Sequence, residues 1–383
     1  MSAADVLARL AEEAALTHHC PSLAWGLVRD GALAACGGVG TLDDGAPPDE
    51  HTVYRIASMT KSFTTAAVLT LRDEGALSLD LPVAEYSPAL AGVRGPAGSA
   101  PITLRRLLSM TAGMATDDAW ADRHLDMSPA EIDRIYADGP FFARLPDDGY
   151  EYSNLGFGMI GRVVLDATGT RLQDHVSRRL LEPLGMQHTG WLEPPGLRWA
   201  RPHRTQDGRI VPDLPHPIGD GEIAPMGGLW TTVADLARWV AWLDSANTDP
   251  GAAPGDGPSL GAASRREMQR MHTYVGVTTL AGRTSPAGYG FGLNLRDDAD
   301  LGMVVAHSGG LPGYGTNMRW LKGRGVATIA LANTTYAPMG AVTLQMLAEL
   351  HREGLLPTRP TLTAPELEAA AHRLVALLND WDD

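Results

Sequence analysis

The sequence predicts an α/β fold: an antiparallel β-sheet flanked by helices is built from both ends of the chain, and a mainly helical lobe is inserted between them. Three observations support this. Strand-like apolar runs occur near both termini, the middle of the chain has mostly helical periodicity, and Arg29-Asp30-Gly31 separates the first two runs as a hairpin turn does. We therefore assign residues 1–77 and 286–383 to the sheet-containing lobe and residues 78–285 to the helical lobe.

The individual elements follow from apolar spacing and capping signals. An amphipathic helix is predicted over Ala3–Leu16, with Ser2 and Asp5 as its cap. Further helices are predicted after Ser58 and over Pro129–Tyr136, Met159–Ala167 and Val233–Leu243. Strands are predicted over Ser22–Val28, Ala32–Val39, Gly290–Leu295, Met303–Ala306, Thr316–Leu321 and Gly325–Leu331.

The C-terminal segment predicts one more helix. Thr363-Ala-Pro-Glu366 combines a capping box with proline in the first turn. This helix either docks on the sheet or leads into a small accessory domain beyond Asp383.

The composition is that of a soluble enzyme and excludes several partners. The 383 residues are 44% apolar and carry a net charge of −14, which disfavours nucleic acid and anionic membranes. The sequence has no 18-residue apolar span, and its start does not resemble a secretory signal, so we expect a cytoplasmic protein. Cys20 and Cys36 are too few for a disulfide scaffold, and no ligand cluster has metal-site spacing. We expect neither metal nor cofactor; the oligomeric state stays open.

Ser58 and Lys61 form the most informative pair in the chain. Residues three apart share one face of a helix, so the lysine amine is expected beside the serine hydroxyl. Serine needs a base to act as a nucleophile, and lysine can supply one once burial lowers its pKa. The apolar pattern from Thr64 to Leu71 indicates a buried helix, where an unpaired ammonium is costly. A lysine that extends to the surface is the alternative.

A second segment, Gly149-Tyr-Glu-Tyr-Ser-Asn-Leu-Gly156, reads as a loop that leads into a helix. In an extended loop Tyr152 and Asn154 point to the same side. A phenol beside an ammonium is expected to ionise below its usual pKa of about 10 and to shuttle protons. An asparagine amide can orient a lysine and bind a carbonyl group. Taken alone, the segment also fits a structural turn.

A third segment, Val304-Val-Ala-His-Ser-Gly-Gly-Leu-Pro-Gly313, is a short apolar strand that runs into glycines. Glycine lets a backbone N–H approach a ligand closely, as one arm of an oxyanion hole requires. Strand alternation puts His307 and Gly309 on one face. A structural histidine is the alternative. The nearby Gly288-Tyr-Gly-Phe-Gly292 reads as a turn.

Together the three segments resemble the motifs of the serine β-lactamase and penicillin-binding protein superfamily. Ser58-Met-Thr-Lys61 matches the nucleophile motif, Tyr152-Ser-Asn154 the middle motif and His307-Ser-Gly309 the third, in the family's order. The chain is most similar to the class C β-lactamase-like branch of esterases, D-aminopeptidases, D,D-peptidases and peptide-cyclising acyltransferases. This resemblance implies a β-lactamase/transpeptidase-like fold with the active site in the cleft between the two lobes.

The family mechanism that the resemblance implies is a two-step acyl transfer. Ser58 attacks a carbonyl after giving its proton to the Lys61–Tyr152 pair, and the backbone N–H groups of Ser58 and Gly310 hold the oxyanion. Tyr152 protonates the leaving group and later activates the water or amine that releases the acyl group. Which of Lys61 and Tyr152 is the base stays open, because their titrations are coupled.

Three further assignments come from the same resemblance. Asn154 positions Lys61 and the substrate amide, and Ser308 and Gly309 bind substrate. Typical class C β-lactamases have lysine where this chain has His307, and histidine is largely neutral at pH 7. This difference disfavours strong β-lactam hydrolysis, and it predicts an activity that changes between about pH 5.5 and 7.5.

The substrate is a small molecule or peptide, and several functions fit it. The first is a serine hydrolase of esters or amides, including those beside D-residues. The alternative is an acyltransferase of the penicillin-binding type, such as a peptide cyclase, that uses the same serine. A β-lactamase, a D,D-carboxypeptidase and a non-catalytic acylated sensor fit less well. Trp230 and Tyr314 are candidates for the acyl pocket, although they also suit a hydrophobic core.

Overall fold

The computed structural model describes residues 1–193, 195–213, 219–248, 258–357 and 369–375. Its helices are α1 (Ala3–Thr17), α2 (Thr60–Asp73), α3 (Leu104–Leu108), α4 (Asp118–Ala121), α5 (Pro129–Asp138), α6 (Asn154–Thr168), α7 (Leu172–Val176), α8 (Val233–Thr248), α9 (Ala262–Met268) and α10 (Met339–Arg352). Its strands are β1 (Ser22–Arg29), β2 (Ala32–Gly40), β3 (Tyr54–Arg55), β4 (His203–Gln206), β5 (Arg209–Pro212), β6 (Trp230–Thr231), β7 (Thr273–Leu280), β8 (Arg283–Tyr289), β9 (Asn294–Asp298), β10 (Gly302–Leu311), β11 (Tyr314–Leu321) and β12 (Val326–Ala332).

The main sheet confirms the predicted fold class. Its eight antiparallel strands lie in the order β2-β1-β12-β11-β10-β9-β8-β7. Strand β1 pairs with β12, with Leu23 opposite Ala332 and Arg29 opposite Val326, so strands from the two ends of the chain lie side by side in one sheet. The pairs β3–β6 and β4–β5 form two small separate sheets.

Alternation along β1 explains how the sheet is covered on both faces. Leu23, Trp25 and Leu27 belong to the apolar cluster that contains α1 and α10. Ala24 and Val28 belong to the larger cluster on the other face, where α2 and α8 lie. Because successive side chains of a strand point to opposite faces, a nearly continuous apolar strand indicates a sheet buried on both sides.

The local signals at the first helix and hairpin form as predicted. Ser2 and Asp5 make reciprocal side-chain to backbone hydrogen bonds at the start of α1. Asp30 and Gly31 both adopt positive φ, 49° and 79°, as the tight turn between β1 and β2 requires.

The C-terminal part of the sheet begins earlier than predicted. Strands β7 (Thr273–Leu280) and β8 (Arg283–Tyr289) lie largely in the part of the chain predicted to be mainly helical. Strand β7 alternates exposed and half-buried residues at the sheet edge, so no apolar run marks it. The strand predicted at Gly290–Leu295 is displaced to β9, because Gly292 has a positive φ of 65° and turns the chain.

The predicted start of the C-terminal helix, Thr363-Ala-Pro-Glu366, lies outside the described residues. The described part, residues 369–375, is helical, and its side chains are exposed. None of the helices in the described ranges is long and apolar enough to cross a bilayer.

Helix α2 lies at the centre of the molecule and carries the first motif. Its residues from Thr60 to Leu71 are all buried. The ring of Phe63 stacks on Trp239 of α8, with 3.8 Å between centroids. This contact fixes α2 against the helix that covers the sheet.

We predict that Phe63→Ala lowers the free energy of unfolding by about 3–5 kcal/mol, because a fully buried ring leaves a cavity at the contact of α2 with α8. Urea unfolding followed by circular dichroism measures the effect. Phe141→Ala is the matched control, since that ring is 87% exposed. An equal loss in both variants would contradict the central role of α2.

Candidate active site

Ser58 lies at the point where a short 3-10 helix, Ala57–Met59, runs directly into α2. Ala57 has φ of +49°, which is uncommon for a residue other than glycine. Gly227 lies next to Ala57, since a Cβ added to it would be 3.5 Å from the Ala57 carbonyl carbon. The sharp change of direction before Ser58 is therefore held by neighbouring segments rather than by the local sequence.

The Lys61 ammonium is fully buried and contacts three oxygen atoms. Its Nζ donates to Asn154 Oδ1 at 2.7 Å, to the carbonyl oxygen of Met226 at 2.9 Å and to Ser58 Oγ at 3.0 Å. The rings of Tyr152 and Phe157 have centroids 4.9 and 5.4 Å from Nζ. Two of the three contacts are with oxygens that only accept, so in the neutral amine the lone pair faces the Ser58 hydroxyl.

Burial lowers the pKa of Lys61 to about 8, because the charged form loses its hydration. Three carboxylates, Asp118, Asp122 and Asp117, act in the opposite direction and raise it. The amine can therefore reach its neutral form near physiological pH, which is the requirement for a general base.

Asn154 connects Lys61 to the acidic segment at α4. Its Nδ2 donates to Asp118 Oδ1 at 2.7 Å, while its Oδ1 accepts from Lys61. The Asp117 carboxylate accepts from the backbone N–H groups of Asn154 and Leu155 at 2.7 and 2.8 Å. A carboxylate at the first turn of α6 accepts hydrogen bonds from N–H groups that have no partner within the helix. Its negative charge also interacts favourably with the positive end of the helix dipole.

Tyr152 lies beside Lys61 and Ser58, but its pKa is shifted in the direction opposite to the one predicted. Its hydroxyl lies in hydrogen-bonding contact with the Ser58 side chain. Burial, followed by the nearby carboxylates of Asp118 and Asp122, raises the pKa of Tyr152 well above 10. The expectation that the neighbouring ammonium lowers this pKa is wrong, because desolvation of the phenolate is the larger effect.

His307 is buried and neutral, which corrects the predicted pH dependence. Its Nδ1 donates to the Ser308 carbonyl oxygen at 2.7 Å, so its Nε2 accepts from the Tyr289 hydroxyl at 3.1 Å. Burial and the Lys61 charge lower the pKa of His307 to about 3. The ring therefore does not titrate between pH 5.5 and 7.5, and the third motif carries no cation there.

The edge of β10 lies against residues 56–58, which we call the serine segment. Strand β9 pairs with β10 only as far as Ala306. Beyond it, a Cβ on Gly309 would lie 2.0 Å from the Ile56 carbonyl oxygen, and the Thr316 hydroxyl donates to that oxygen at 3.2 Å. Only glycine permits this approach, which places Gly309 and the adjacent Gly310 beside the residues that lead to Ser58.

Tyr336 borders Gly310 on the outer side. A Cβ at position 310 would lie 2.6 Å from the Tyr336 ring. The Tyr336 hydroxyl donates to the Asp122 carboxylate at 2.7 Å, and burial raises the pKa of that carboxyl to about 6. Through Tyr336, this contact links the Gly310 region of β10 to residues 117–122, the acidic segment that also binds Asn154.

Three predicted substrate-binding side chains do not face Ser58. Ser308 lies on the opposite face of β10 from His307, where its hydroxyl accepts from Asn317 Nδ2 at 2.8 Å. Trp230 and Tyr314 are fully buried, with ring centroids 6.0 Å apart, and the Tyr314 hydroxyl donates to the Ala200 carbonyl oxygen. Both aromatic residues belong to the hydrophobic core and not to an acyl pocket.

Sequence reasoning missed six residues of this site: Asp117, Asp118, Asp122, Met226, Tyr289 and Tyr336. Each lies far from the three motifs in sequence, and Met226 contributes only its backbone oxygen, which any residue type offers. The Gly288–Gly292 run contained Tyr289, but glycine spacing indicated a turn and not a hydrogen bond to His307. Within the described residues, no three His, Cys, Asp or Glu side chains are grouped as a metal site requires.

Comparison with known proteins places the chain among relatives of one family. The model of the beta-lactamase family matches residues 7–352. The chain is 29% identical over 357 residues to penicillin-binding protein 4 of Amycolatopsis lactamdurans, covering 92% of this chain and 89% of the relative. It is also 29% identical over 356 residues to esterase EstB of Burkholderia gladioli, covering 81% and 84%.

Solved structures share the fold. The octameric penicillin-binding protein homologue from Pyrococcus abyssi has a TM-score of 0.75 at 23% identity, over 91% of this chain and 77% of that one. A D-stereospecific amidohydrolase from Streptomyces sp. has a TM-score of 0.68 at 22% identity, over 92% and 99%. At these identities the likeness shows the β-lactamase/transpeptidase-like fold.

We predict that Gly309→Ala slows the labelling of Ser58 by a fluorophosphonate probe at least about 10-fold, because the added Cβ overlaps the Ile56 carbonyl oxygen and moves the serine segment. Intact-mass analysis of the labelled protein measures the rate. Gly261→Ala is the control, since a Cβ there meets nothing within 4 Å. Equal labelling rates in the wild type and both variants would show that this close approach does not position Ser58.

Proposed function

The chain belongs to the beta-lactamase family, and we propose that it is a serine hydrolase that cleaves ester or amide bonds through an acyl-enzyme on Ser58. One observation carries the proposal. The buried Lys61 Nζ binds two carbonyl oxygens and has its remaining position on Ser58 Oγ at 3.0 Å. This is the geometry of a nucleophile with its base.

In the acylation step, neutral Lys61 accepts the Ser58 proton as Oγ forms a bond to the substrate carbonyl carbon. The negative charge moves to the carbonyl oxygen, for which the backbone N–H groups of Ser58 and Gly310 are the proposed donors. When the carbon–leaving-group bond breaks, the Tyr152 hydroxyl gives its proton to the leaving group and takes one from the Lys61 ammonium. The high pKa of Tyr152 suits this role, because the phenol stays neutral before and after transfer.

Deacylation reverses the proton transfers with water in place of the leaving group. Water gives a proton to neutral Lys61 and attacks the acyl carbon. The ester bond to Ser58 then breaks, and the serine oxygen recovers its proton. An amine that reached the same position would release an amide or a cyclic product instead of an acid.

The electrostatics of the site support esters or amides over β-lactams. His307 is neutral, so the third motif offers no cation to a substrate carboxylate. Asp117, Asp118 and Asp122 act on Lys61 and make the surroundings acidic. The esterase at 29% identity supports ester substrates, and the D-stereospecific amidohydrolase of the same fold makes amides beside D-residues the next class to test.

We predict that wild-type protein hydrolyses a linear peptide with a free N-terminal amine and an activated ester on a C-terminal D-residue, and that Ser58→Ala loses at least about 10³-fold of this activity. Mass analysis of the products is the measurement, because an acid product carries added water and an amine-transfer product does not. The L-configured ester, run in parallel, reports stereochemical preference.

Each result of that experiment decides between activities. An acid product that depends on Ser58 supports the hydrolase, and a cyclic product replaces it with an acyltransferase. Turnover by Ser58→Ala near the wild-type rate would reject Ser58 as the nucleophile.

We predict that kcat/KM for a neutral p-nitrophenyl ester rises with pH through a single midpoint near 8. Lys61 must be neutral to act as base, and its lowered pKa of about 8 means that the active form grows as pH increases. The phenol of Tyr152 adds no descending limb below pH 10, because its pKa is raised. Rates between about pH 5 and 9.5, corrected with Ser58→Ala, give the profile.

His307 contributes no step to this profile, because its pKa is lowered to about 3. His307→Gln, which keeps a polar side chain of similar length, is the control. An inflection near pH 6.5 that disappears in His307→Gln would show that the histidine titrates.

A further inference from the structure

The Asn154 side chain can turn over at almost no steric cost, because its amide oxygen and nitrogen have nearly the same size. In one orientation the oxygen faces Lys61 and accepts from the ammonium. In the other, the amide N–H groups face a cation and repel it. Something other than shape must therefore select the productive orientation.

Asp118 supplies that selection. Its Oδ1 lies 2.7 Å from Asn154 Nδ2, and an ionised carboxylate can only accept a hydrogen bond. The amide nitrogen must therefore face Asp118, which leaves Oδ1 directed at Lys61 Nζ, also at 2.7 Å. The adjacent Asp117 holds the backbone N–H of the same asparagine at 2.7 Å. Two successive carboxylates thus fix both the backbone and the side chain of Asn154.

Asp118 also acts on Lys61 through its charge. Of the carboxylates that raise the pKa of Lys61, it has the largest effect, followed by Asp122 and Asp117. Tyr152, neutral, faces the amine from the loop before α6, and neutral His307 faces it from β10. The negative charge that opposes the desolvation of Lys61 therefore comes from one short segment, residues 117–122.

We propose that Asp118 is a positioning residue of the Ser58 site, which orients the Asn154 amide by accepting its Nδ2–H and which offsets the burial of the Lys61 ammonium with its negative charge. This role rests on the proposed function, because it matters for catalysis only if Lys61 is the base for Ser58. Asp118 itself needs no contact with the reacting atoms. It acts through the hydrogen-bond chain Asp118–Asn154–Lys61.

Two substitutions separate the charge from the orientation. Asp118→Asn removes the charge but retains a side-chain oxygen that can accept from Asn154 Nδ2. Asp118→Ala removes both the charge and the acceptor, so the Asn154 amide is free to turn its N–H groups towards Lys61. A hydrogen-bond donor facing an amine disfavours its charged form further. The midpoint of Lys61 ionisation should therefore fall in the order wild type, Asp118→Asn, Asp118→Ala.

The sequence makes this titration directly measurable. The sequence contains two lysines, Lys61 and Lys322. Protein labelled with [13C]lysine therefore gives two Cε signals in an NMR titration, which Lys322→Arg assigns. Lys322 donates to the Gln269 carbonyl oxygen at 2.8 Å and serves as an internal reference in each sample.

We expect the Lys61 midpoint to move to lower pH by about one unit in Asp118→Asn and further in Asp118→Ala, while Lys322 stays unchanged. The plateau of kcat/KM should stay within about 3-fold of wild type in Asp118→Asn and fall at least about 10-fold below that variant in Asp118→Ala. Thermal unfolding shows whether each variant folds, and the isosteric Asp118→Asn suffices to test the charge.

The inference is overturned if the Lys61 midpoint of both variants equals that of the wild type. It is also overturned if the Lys61 midpoint is the same in Asp118→Ala as in Asp118→Asn. Failure of the proposed function looks different. If wild-type protein shows no Ser58-dependent turnover, the hydrolase proposal fails, whereas the Lys61 signal still reports whether Asp118 orients Asn154 and stabilises the ammonium.

Discussion

The buried Lys61 amine is the constraint on which the arrangement of the site depends. A cation without exposure must be compensated, and here partners come from four separate parts of the chain. Asn154 and the Met226 backbone supply acceptors, the α4 segment supplies negative charge, and Ser58 supplies the remaining contact. The compensation is incomplete, since burial still lowers the pKa of Lys61 to about 8. That remaining imbalance makes the lysine usable as a base.

The sheet sets the distance between strand β10 and the residues that lead to Ser58. Strand β10 approaches the serine segment because Gly309 has no side chain to meet the Ile56 carbonyl oxygen, while the Thr316 hydroxyl satisfies that oxygen. On the other side, α2 is packed through Phe63 against Trp239 of α8. Ser58 is therefore held between a packed helix and a strand edge, and neither can move without disturbing the core.

Burial, more than charge pairing, decides the protonation of the neighbouring groups. Tyr152 stays a neutral phenol and His307 a neutral imidazole, although each has a lysine nearby. The Tyr289 hydroxyl and the Ser308 carbonyl oxygen then fix which ring nitrogen of His307 carries the proton. The site is thus a set of neutral hydrogen-bond donors and acceptors around one titrating amine, with acidic residues behind it.

The sequence alone predicted the fold class, the hairpin turn, helices α1 and α2 and the three motifs, because these follow from apolar periodicity, capping and local spacing. It did not predict β7, whose edge position leaves no apolar run to detect. The tertiary structure shows that Trp230 and Tyr314 are core residues, and that Asp118 and Tyr289 contact the motif residues Asn154 and His307. It also decided that the pKa of Tyr152 is raised and that the pKa of His307 is lowered. Local patterns specify which groups a segment presents, whereas desolvation and long-range contacts depend on what the rest of the chain packs against them.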